Sequence, residues 1–337
     1  MSDRIVAVVG ATGAVGRTMR AILETRSFPL GSLRLFASER SAGSAIETRW
    51  GEVEVEDLAS ADPAGIDIAL FSAGGDRSRA HVPRFAEAGA VVIDNSSAFR
   101  MDPDVPLIVA GVNDAAVGAH RGIIANPNCT TMTLMMAAGP LHRAAGLRSM
   151  VATSYQSVSG SGHQGVVELI EQTDLLRPDL DAMMTGGWAD PEPSLYARPI
   201  GFNVLPHAGS ETELGYTDEE WKLVNESRKI LDVPELLVEP TCVRVPVLVG
   251  HGVAASLRFE RPMGPDEVVG VLGGSPGVQV WTDRVPTPLD SAGIDDVLVG
   301  RIRPTIGESG GINLWVVGDN LRKGAALNTV QIAELLV

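Results

Sequence analysis

Cysteine is scarce in this sequence, which has only two, Cys129 and Cys242, among 337 residues. A disulfide-stapled fold is therefore excluded. Because the two cysteines lie far apart in the chain, we expect both to remain free thiols in a reducing compartment. Any thiol chemistry would then be catalytic, and Cys242, which lies in an apolar segment, is expected to be a core residue.

Positive charge and long apolar runs are also scarce. The chain has 27 Lys and Arg against 42 Asp and Glu, a net charge of −15 and a pI near 4.8. Nucleic acids and anionic membrane surfaces require a basic excess, so neither is an expected partner. The start of the chain lacks the long apolar region of a signal peptide, and no run approaches transmembrane length. We therefore expect a cytoplasmic protein.

The length and apolar content predict a two-domain α/β protein. At 45% hydrophobic residues, the chain can fill two cores. The unbroken apolar run Ile5–Val9 is typical of a parallel strand buried on both faces, and similar runs follow at 67–71 and 90–94. A helical pattern at 77–88 separates the last two. This alternation predicts a Rossmann-type, doubly wound dinucleotide-binding domain.

A glycine-rich loop follows the first strand. The segment GATGAVG (10–16) lies between that strand and a helical pattern at 17–25. Strand, glycine loop and helix in this order allow a tight turn and close approach of backbone to a pyrophosphate. The alternative is an ordinary strand-to-helix turn, since Gly-x-x-Gly-x-x-Gly is a variant of the commoner pattern. The predicted cofactor contacts in this loop are Gly10, Thr12, Gly13, Ala14, Val15 and Gly16.

The second strand, 33–37, ends in SERS (38–41), where the adenosine ribose of a dinucleotide would lie. Arg40 between Ser38 and Ser41 is suited to a 2′-phosphate, which favours NADP. Two alternatives remain: Glu39 could accept from a free 2′-hydroxyl, or the segment is a solvated turn. The small residues Ala73 and Gly74, after the strand at 67–71, would let the cofactor approach the sheet.

Cys129 lies in ANPNCTT (125–131), after an apolar run and before the helix-like segment 132–138. A helix N-terminus presents unpaired N–H groups and a positive dipole end, so we expect it to lower the pKa of this thiol. A nucleophilic thiolate would result. The alternative is that Cys129 is a small buried hydrophobe.

After Cys129 the strands lengthen, at 150–156 and His251–Phe259, which predicts a mixed or antiparallel sheet. The Pro-, Asp- and Gly-rich segment 177–199 is interpreted as a surface excursion. The apolar-periodic segment 320–336 is expected to form a helix that returns to the first domain. We therefore expect a cofactor domain at 1–128 plus 319–337 and an α+β catalytic and dimerisation domain at 129–318.

Six motifs, in order along nearly the whole chain, resemble those of the aspartate-semialdehyde dehydrogenase family. They are GATGAVG (10–16), NSSAFR (95–100), NPNCTT (126–131), YQSVSG (155–160), EEWK (219–222) and RVPV (244–247) with Gly250 and His251. The resemblance implies NADPH-dependent reductive dephosphorylation of L-aspartyl-4-phosphate to L-aspartate-4-semialdehyde. That reaction belongs to lysine, threonine and methionine biosynthesis, and to diaminopimelate biosynthesis where that compound is made.

The resemblance also implies the catalytic residues. Cys129 would form the thioacyl-enzyme, His251 would exchange protons, and Gln156 would orient the acyl carbonyl. Without the resemblance, a structural hydrogen-bonding group is the more common interpretation of His251, and a polar strand end is the default interpretation of Gln156. His163 occupies a position where a small or apolar residue is expected; we predict that it opens the next helix.

For the substrate, the resemblance implies Arg244 for the α-carboxylate, Glu219 for the α-amino group, and Lys222 with Arg100 and Asn128 for phosphate. The alternatives are a buried salt bridge for Arg244 and a solvated helix pair for Glu219 and Lys222. The family also implies cofactor contacts from Ser159, Gly160 and Asn320, and a homodimer built through the second domain's sheet. Since no His, Cys, Asp or Glu cluster has metal-ligand spacing, we expect no metal.

Three rival interpretations remain. N-acetyl-γ-glutamyl-phosphate reductases share the thiol mechanism but lack the EEWK helix and the NPNC context. A phosphorylating dehydrogenase of the glyceraldehyde-3-phosphate type has a different cysteine context. A non-catalytic paralogue should have lost at least one of Cys129, Gln156, Arg244 and His251, and all four are present.

Overall fold

The computed structural model describes residues 4–192, 194–307 and 309–337. The first three residues, part of the segment that was compared with a signal peptide, lie outside this range. None of the described helices is both long and apolar enough to cross a membrane.

The N-terminal part of the described chain forms a seven-stranded sheet. Its strands are β1 (Ile5–Val9), β2 (Ser32–Ala37), β3 (Ala45–Thr48), β4 (Gly51–Asp57), β5 (Ile68–Phe71), β6 (Val91–Asp94) and β7 (Ile123–Ala125), in the spatial order β3-β4-β2-β1-β5-β6-β7. All neighbours are parallel except the β3–β4 hairpin. The strand order reverses between β1 and β5, the topological switch point at which open α/β sheets bind ligands. The predicted doubly wound domain is confirmed.

The second sheet of the described chain is mixed, as predicted. Its strands are β8 (Leu147–Gln156), β9 (Leu237–Arg244), β10 (His251–Phe259), β11 (Val278–Trp281), β12 (Val297–Pro304) and β13 (Ile312–Gly318), in the order β11-β12-β13-β10-β8-β9. Strand β10 begins and ends where the sequence predicts, whereas β8 begins three residues before the predicted Met150. Gln156 and Arg244 are the last residues of the parallel strands β8 and β9, and His251 is the first residue of the antiparallel strand β10. The three residues therefore lie at the same end of three adjacent strands.

Helices cover both sheets. They are α1 (Ala14–Thr25), α2 (Gly75–Glu87), α3 (Cys129–Ala145), α4 (His163–Leu176), α5 (Leu180–Thr185), α6 (Asp218–Leu231), α7 (Pro265–Gly273), α8 (Pro288–Ser291) and α9 (Leu327–Glu334). Helix α1 begins one turn before the predicted Arg17 because Gly13, in an extended conformation, already serves as its N-cap. Helix α2 likewise begins at Gly75, two residues before the predicted start.

The C-terminal segment returns to the first sheet, as predicted, but not as one helix. Residues Arg322–Ala326 form a π-helical turn that leads into α9. Ala326, Leu327 and Val330 are buried in the same apolar cluster as β1 and α1. The first domain is thus completed by the end of the chain.

The 177–199 segment, apart from residue 193, is only partly the predicted surface excursion. Helix α5 is exposed, with Met184 78% accessible. Tyr196, by contrast, packs against a buried apolar cluster of Val158, Leu169 and Ile200. Tyr196 therefore contributes to the interior, which the Pro-rich composition does not indicate, whereas its neighbours Leu195 and Ala197 are exposed.

Candidate functional site

Cys129 is the first residue of α3. Asn128 is the N-cap, and its Oδ1 accepts hydrogen bonds from the N–H groups of Thr130 (2.9 Å) and Thr131 (3.3 Å). A capping side chain of this kind stabilises a helix start by about 1 kcal/mol. The cap thus fixes the thiol at the end of β7, at the edge of the first sheet.

His251 contacts the thiol. Its Nε2 lies 3.2 Å from Cys129 Sγ, and the ring is fully buried. The N–H of Ser157 donates to Nδ1 over 3.1 Å. Because Nδ1 accepts this bond, the neutral ring carries its proton on Nε2, the nitrogen that faces the sulfur. Cys129 and His251 are therefore brought together, with the imidazole N–H directed at the thiol.

Burial keeps this pair uncharged. It raises the pKa of Cys129 to about 11, and the nearby Glu219 carboxylate adds to the rise, against the opposing effect of Arg244. Burial and Arg244 lower the pKa of His251 to about 3. The predicted lowering of the thiol pKa by the helix start is thus wrong, because desolvation of the thiolate outweighs it. At pH 7 the resting pair is a thiol and a neutral imidazole.

This pKa predicts how Cys129 reacts with iodoacetamide. Only the thiolate is nucleophilic, so between pH 8 and 10 the rate should still rise about tenfold per pH unit, without levelling near the pKa of free cysteine. Loss of free thiol, followed by mass spectrometry, measures the rate. Cys242 should stay unmodified, since burial raises its pKa to about 12. A plateau below pH 9 at Cys129 would contradict the pKa.

Glu219 is the anionic centre of the site. Its carboxylate accepts hydrogen bonds from Lys222 Nζ (2.8 Å), Gln156 Nε2 (3.1 Å) and Asn128 Nδ2 (3.1 Å). Burial alone would raise the pKa of Glu219, but Lys222 and these hydrogen bonds lower it to about 2. Lys222 is also bonded to Asp218 over 2.6 Å. The pair is thus part of a partly buried network rather than a solvated helix face.

Arg244 is a buried cation with spare hydrogen-bonding capacity. It is 6% exposed, and its Nη1 donates to the Ser157 carbonyl over 2.7 Å. Its Nε is buried and has no hydrogen-bond partner among the described residues. A buried donor without an acceptor is costly, so such a group indicates an anionic ligand that completes it. No carboxylate salt bridge to Arg244 is formed within the described chain.

Arg100 lies at the other side of the thiol. Its guanidinium donates to the carbonyls of Asn126 (2.9 Å) and Asn95 (3.0 Å) and to Glu226 (3.0 Å). Glu226 is itself buried and accepts the N–H of Asn128 over 2.7 Å. Glu226 is not among the residues predicted from sequence. The only signal was its place on α6, seven residues after Glu219 and hence on the same helix face.

Two cavities meet at Cys129. One, of about 620 Å³, is lined by Asn128, Cys129, Gln156, Gly160, Ser161, Leu195, Tyr196, Ala197, His207, Ala208, Gly209, Ser210, Glu219 and Arg244. The other, a groove of about 420 Å³, runs along the switch point of the first sheet. Asn128, Cys129, Gly160 and Glu219 line both. Tyr196 and His207 are lining residues that the sequence motifs do not identify.

The groove fits a dinucleotide. Its lining comes mainly from the glycine loop, the ends of β5 and β6, the start of α3 and the segment after β13. The residues are Gly13, Ala14, Val15, Ser72, Gly74, Gly75, Asn95, Ser96, Ser97, Arg100, Pro127, Asn128, Cys129, Ser159, Gly160, Gly162, Glu219, Lys222, Asn320, Leu321, Gly324 and Ala325.

The glycine loop leaves no room for side chains at two positions. Gly10 has φ +84°, and a Cβ there would lie 2.1 Å from the Ser72 carbonyl oxygen. A Cβ on Gly16 would lie 2.2 Å from the Gly10 carbonyl oxygen. The turn therefore requires glycine at both positions. A Cβ on Gly160 would lie 3.3 Å from His251 Nε2, so the glycine also keeps space beside the imidazole.

Other predicted cofactor residues flank this groove. Thr12 Oγ1 and Ser41 Oγ lie 3.5 Å apart, which brings the end of β2 to the glycine loop, and Arg40 is exposed there, two residues after the extended Ser38. Ala73 is not among the lining residues. Asn320 lines the groove, but its Oδ1 accepts from the Gly250 N–H (2.9 Å) and from the Ser157 and Ser159 hydroxyls. Its carboxamide thus holds three segments around His251.

Comparisons with known proteins agree with this arrangement. Residues 5–120 match the family model "Semialdehyde dehydrogenase, NAD binding domain", and residues 139–323 match "Semialdehyde dehydrogenase, dimerisation domain". The chain is 52% identical to an aspartate-semialdehyde dehydrogenase of Mycolicibacterium smegmatis, over 98% of both chains. It is 53% identical to that of Streptomyces akiyoshiensis, again over 98% of both.

The comparison with solved structures also finds an aspartate semialdehyde dehydrogenase. Aspartate semialdehyde dehydrogenase II of Vibrio cholerae, complexed with ASA, superposes with a TM-score of 0.93 at 44% identity, covering 100% of this chain and 98% of the other. Family models, sequence relatives and this structure thus agree over nearly the whole length. The chain belongs to the aspartate-semialdehyde dehydrogenase family.

Proposed function

We propose that the protein catalyses the NADPH-dependent reductive dephosphorylation of L-aspartyl-4-phosphate to L-aspartate-4-semialdehyde. One observation carries the proposal: a thiol in contact with an imidazole N–H lies where a substrate-sized cavity meets a dinucleotide groove. Acyl transfer to a thiol followed by reduction requires this junction, because the same carbon must face the sulfur from one side and the cofactor from the other.

The first step forms a thioester. Cys129 Sγ attacks the acyl carbon, the bond from that carbon to the phosphate oxygen breaks, and the thiol proton leaves with the phosphate. Lys222 and Arg100 line the groove beside the thiol and supply positive charge for the departing phosphate. The Nε2–H of His251 stabilises negative charge on the sulfur as the proton leaves.

The second step produces the aldehyde. Bound NADPH supplies a hydride to the thioester carbon. The Nε2–H of His251 then protonates the oxygen of the hemithioacetal, and the proton returns to Nε2 when the carbon–sulfur bond breaks. The sulfur leaves as a thiolate and takes up one proton from water, which restores the Cys129 thiol. Gln156 is fixed by Ser154 and Glu219, and its second amide hydrogen, which has no partner among the described residues, can orient the acyl oxygen. The products of the two steps are inorganic phosphate and L-aspartate-4-semialdehyde.

Charge complementarity supports an amino-acid substrate. Arg244 has a buried Nε without a partner in the described chain, which suits the α-carboxylate as a forked ligand. Glu219 stays ionised because its pKa is about 2, and it lines the same cavity, which suits an α-ammonium group. A cation and an anion in one cavity match the two charges of an aspartyl group better than those of an N-acetylated one.

The enzyme assay tests this function directly. Phosphate-dependent reduction of NADP at 340 nm should occur with L-aspartate-4-semialdehyde. Little or no turnover should occur with N-acetyl-glutamate-5-semialdehyde or glyceraldehyde-3-phosphate, which represent the two rival dehydrogenases. If all three are inactive with a folded protein that binds NADP, the proposal fails and the non-catalytic paralogue takes its place.

For the cofactor, we propose that Arg40, between Ser38 and Ser41 at the end of β2, binds the 2′-phosphate of NADP. Replacing Arg40 by alanine should raise KM for NADPH about 10- to 100-fold, the usual effect of removing a hydrogen bond to a charged group, and leave KM for NADH unchanged. Glu39→Ala, at the adjacent exposed position, is the matched control and should not raise KM for NADPH. An equal rise for both cofactors in Arg40→Ala would mean that the 2′-phosphate binds elsewhere.

We also propose the domain limits 1–128 plus 319–337 and 129–318. They are supported by the separation of the two sheets and by α9, which packs into the first core. The active form is proposed to be a homodimer built through the second sheet, in keeping with the matched dimerisation domain. A cytoplasmic location accompanies this proposal, because two free cysteines are typical of a reducing compartment.

A further inference from the structure

The substrate cavity has a wall that the motifs of the sequence do not include. We define the strap as residues 194–201, which cross the cavity in front of Arg244. Leu195, Tyr196 and Ala197 of the strap line the cavity together with the proposed carboxylate-binding Arg244.

Two buried side chains of α4 hold the strap. Glu168, 5% exposed, accepts hydrogen bonds from the Ser194 hydroxyl (2.8 Å), the Ser194 N–H (3.3 Å) and the Leu195 N–H (2.8 Å). Gln172, also 5% exposed, accepts the N–H groups of Ile200 (2.7 Å) and Gly201 (3.1 Å). Four of these five bonds use backbone N–H groups of the strap, two at each end, and the fifth uses the Ser194 hydroxyl. Hydrogen bonds to two buried side chains thus hold both ends of a segment that lies outside regular structure.

Tyr196 lies between these two anchored ends. The guanidinium carbon of Arg244 lies 5.8 Å from the centre of its ring, within the range of a cation–π contact. The hydroxyl is buried and has no hydrogen-bond partner among the described residues. It lies close to Gly165, where a Cβ would be 2.5 Å away. The ring therefore contacts Arg244, and no hydroxyl bond contributes to this arrangement.

Arg244 needs such a support. Among the described residues, the only hydrogen bond of its side chain is the one from Nη1 to the Ser157 carbonyl, and its Nε has no partner. One hydrogen bond at a single nitrogen does not fix the plane of the guanidinium, and fixing that plane at the moment of binding would reduce affinity. An aromatic face fixes the plane of a guanidinium without occupying the N–H groups that a carboxylate requires.

We infer that Tyr196, held by the Glu168 and Gln172 anchors, is a positioning residue that orients Arg244 for the substrate α-carboxylate. This inference rests on the proposed function. It makes the strap a determinant of substrate binding: the aromatic ring is required, whereas the hydroxyl is not. Within the described chain, no hydrogen bond or ring contact joins Tyr196 to Cys129 or His251, so Tyr196 should act on substrate affinity rather than on the chemical steps.

Tyr196→Leu and Tyr196→Phe form a matched pair for the test. In the phosphate-dependent assay, Tyr196→Leu should raise KM for L-aspartate-4-semialdehyde about tenfold, which corresponds to a desolvated cation–π contact. Its kcat and its KM values for phosphate and NADP should stay within about twofold of wild type. Tyr196→Phe keeps the ring, removes only the unpartnered hydroxyl, and should restore the wild-type KM.

Glu168→Gln provides an independent second variant. It lies outside both cavities and replaces one acceptor oxygen by an amide NH2, so at least one bond to the strap is lost. It should raise the same KM severalfold and leave kcat unchanged. Together, the three variants separate the anchor, the ring and the hydroxyl.

Three results would overturn the inference: an unchanged KM in Tyr196→Leu, an equal rise in Tyr196→Phe, or a parallel loss of kcat and cofactor affinity in Tyr196→Leu, which would indicate general disruption. Failure of the proposed function is distinguishable from all of these, because wild-type protein would then show no turnover of the semialdehyde.

Discussion

Cys129→Ser is expected to lower kcat by about 10⁴-fold or more while leaving the Kd for NADP unchanged. A serine hydroxyl at this helix start cannot reach the nucleophilicity of a thiolate, and no other thiol lies at the cavity, since Cys242 is buried in the core. Phosphate-dependent NADP reduction measures kcat, and quenching of protein fluorescence on NADP titration measures the Kd.

The structural control for this prediction is Cys242→Ser, which replaces the other cysteine. The Cys242→Ser variant should be less stable than the wild type, because a hydroxyl enters a core position. Its kcat per folded molecule should equal that of the wild type. Activity retained in Cys129→Ser above about 1% would remove the thioacyl mechanism and leave the family fold with a different chemistry.

The second large effect is expected at His251. His251→Gln should lower kcat about 10²- to 10³-fold, because the amide can donate a hydrogen bond to the sulfur but cannot transfer a proton to the hemithioacetal oxygen. KM for the semialdehyde should change little, since the carboxylate and ammonium groups bind at Arg244 and Glu219. His81→Gln, the same substitution on α2 outside both cavities, is the control.

The pH dependence of kcat/KM gives a second test of His251 as a neutral proton donor. Because the pKa of His251 is about 3, its ring is neutral from pH 5 upward, and it becomes protonated only well below that range. The kcat/KM profile of the wild type should therefore lack an acid limb at pH 6 to 7. A limb there that disappears in His251→Gln would mean that the ring titrates near its ordinary value and that its burial is overcome in the working enzyme.

Local patterns predicted the parts of the fold that local physics determines. The apolar run of β1, the glycine loop and the bounds of β10 follow from residue order alone, because burial on two faces and a tight turn leave few alternatives. The β3–β4 hairpin was missed, since its glutamates alternate with few apolar residues at the edge of the sheet. Edge strands need less apolar content than central ones.

Local sequence patterns predicted less of the active site than of the fold. Cys129 and His251 are 122 residues apart, and only the family resemblance predicted that they would meet. Glu226 and Tyr196 carry no motif, and their importance comes from partners on other elements. The pKa of Cys129 shows the same limit: a helix start can be identified in a sequence, whereas the burial that opposes it depends on α3 packing against the second sheet.

The way in which the C-terminal segment completes the first core has a consequence for biosynthesis. Ala326, Leu327 and Val330 fill the core that β1 and α1 begin, more than 300 residues earlier in the chain. On a translating ribosome, the N-terminal strands emerge long before the residues that cover them. The nucleotide-binding half, although made first, can finish folding only after the last turn of the protein has been released, and until then its sheet is exposed to chaperones and to other nascent chains.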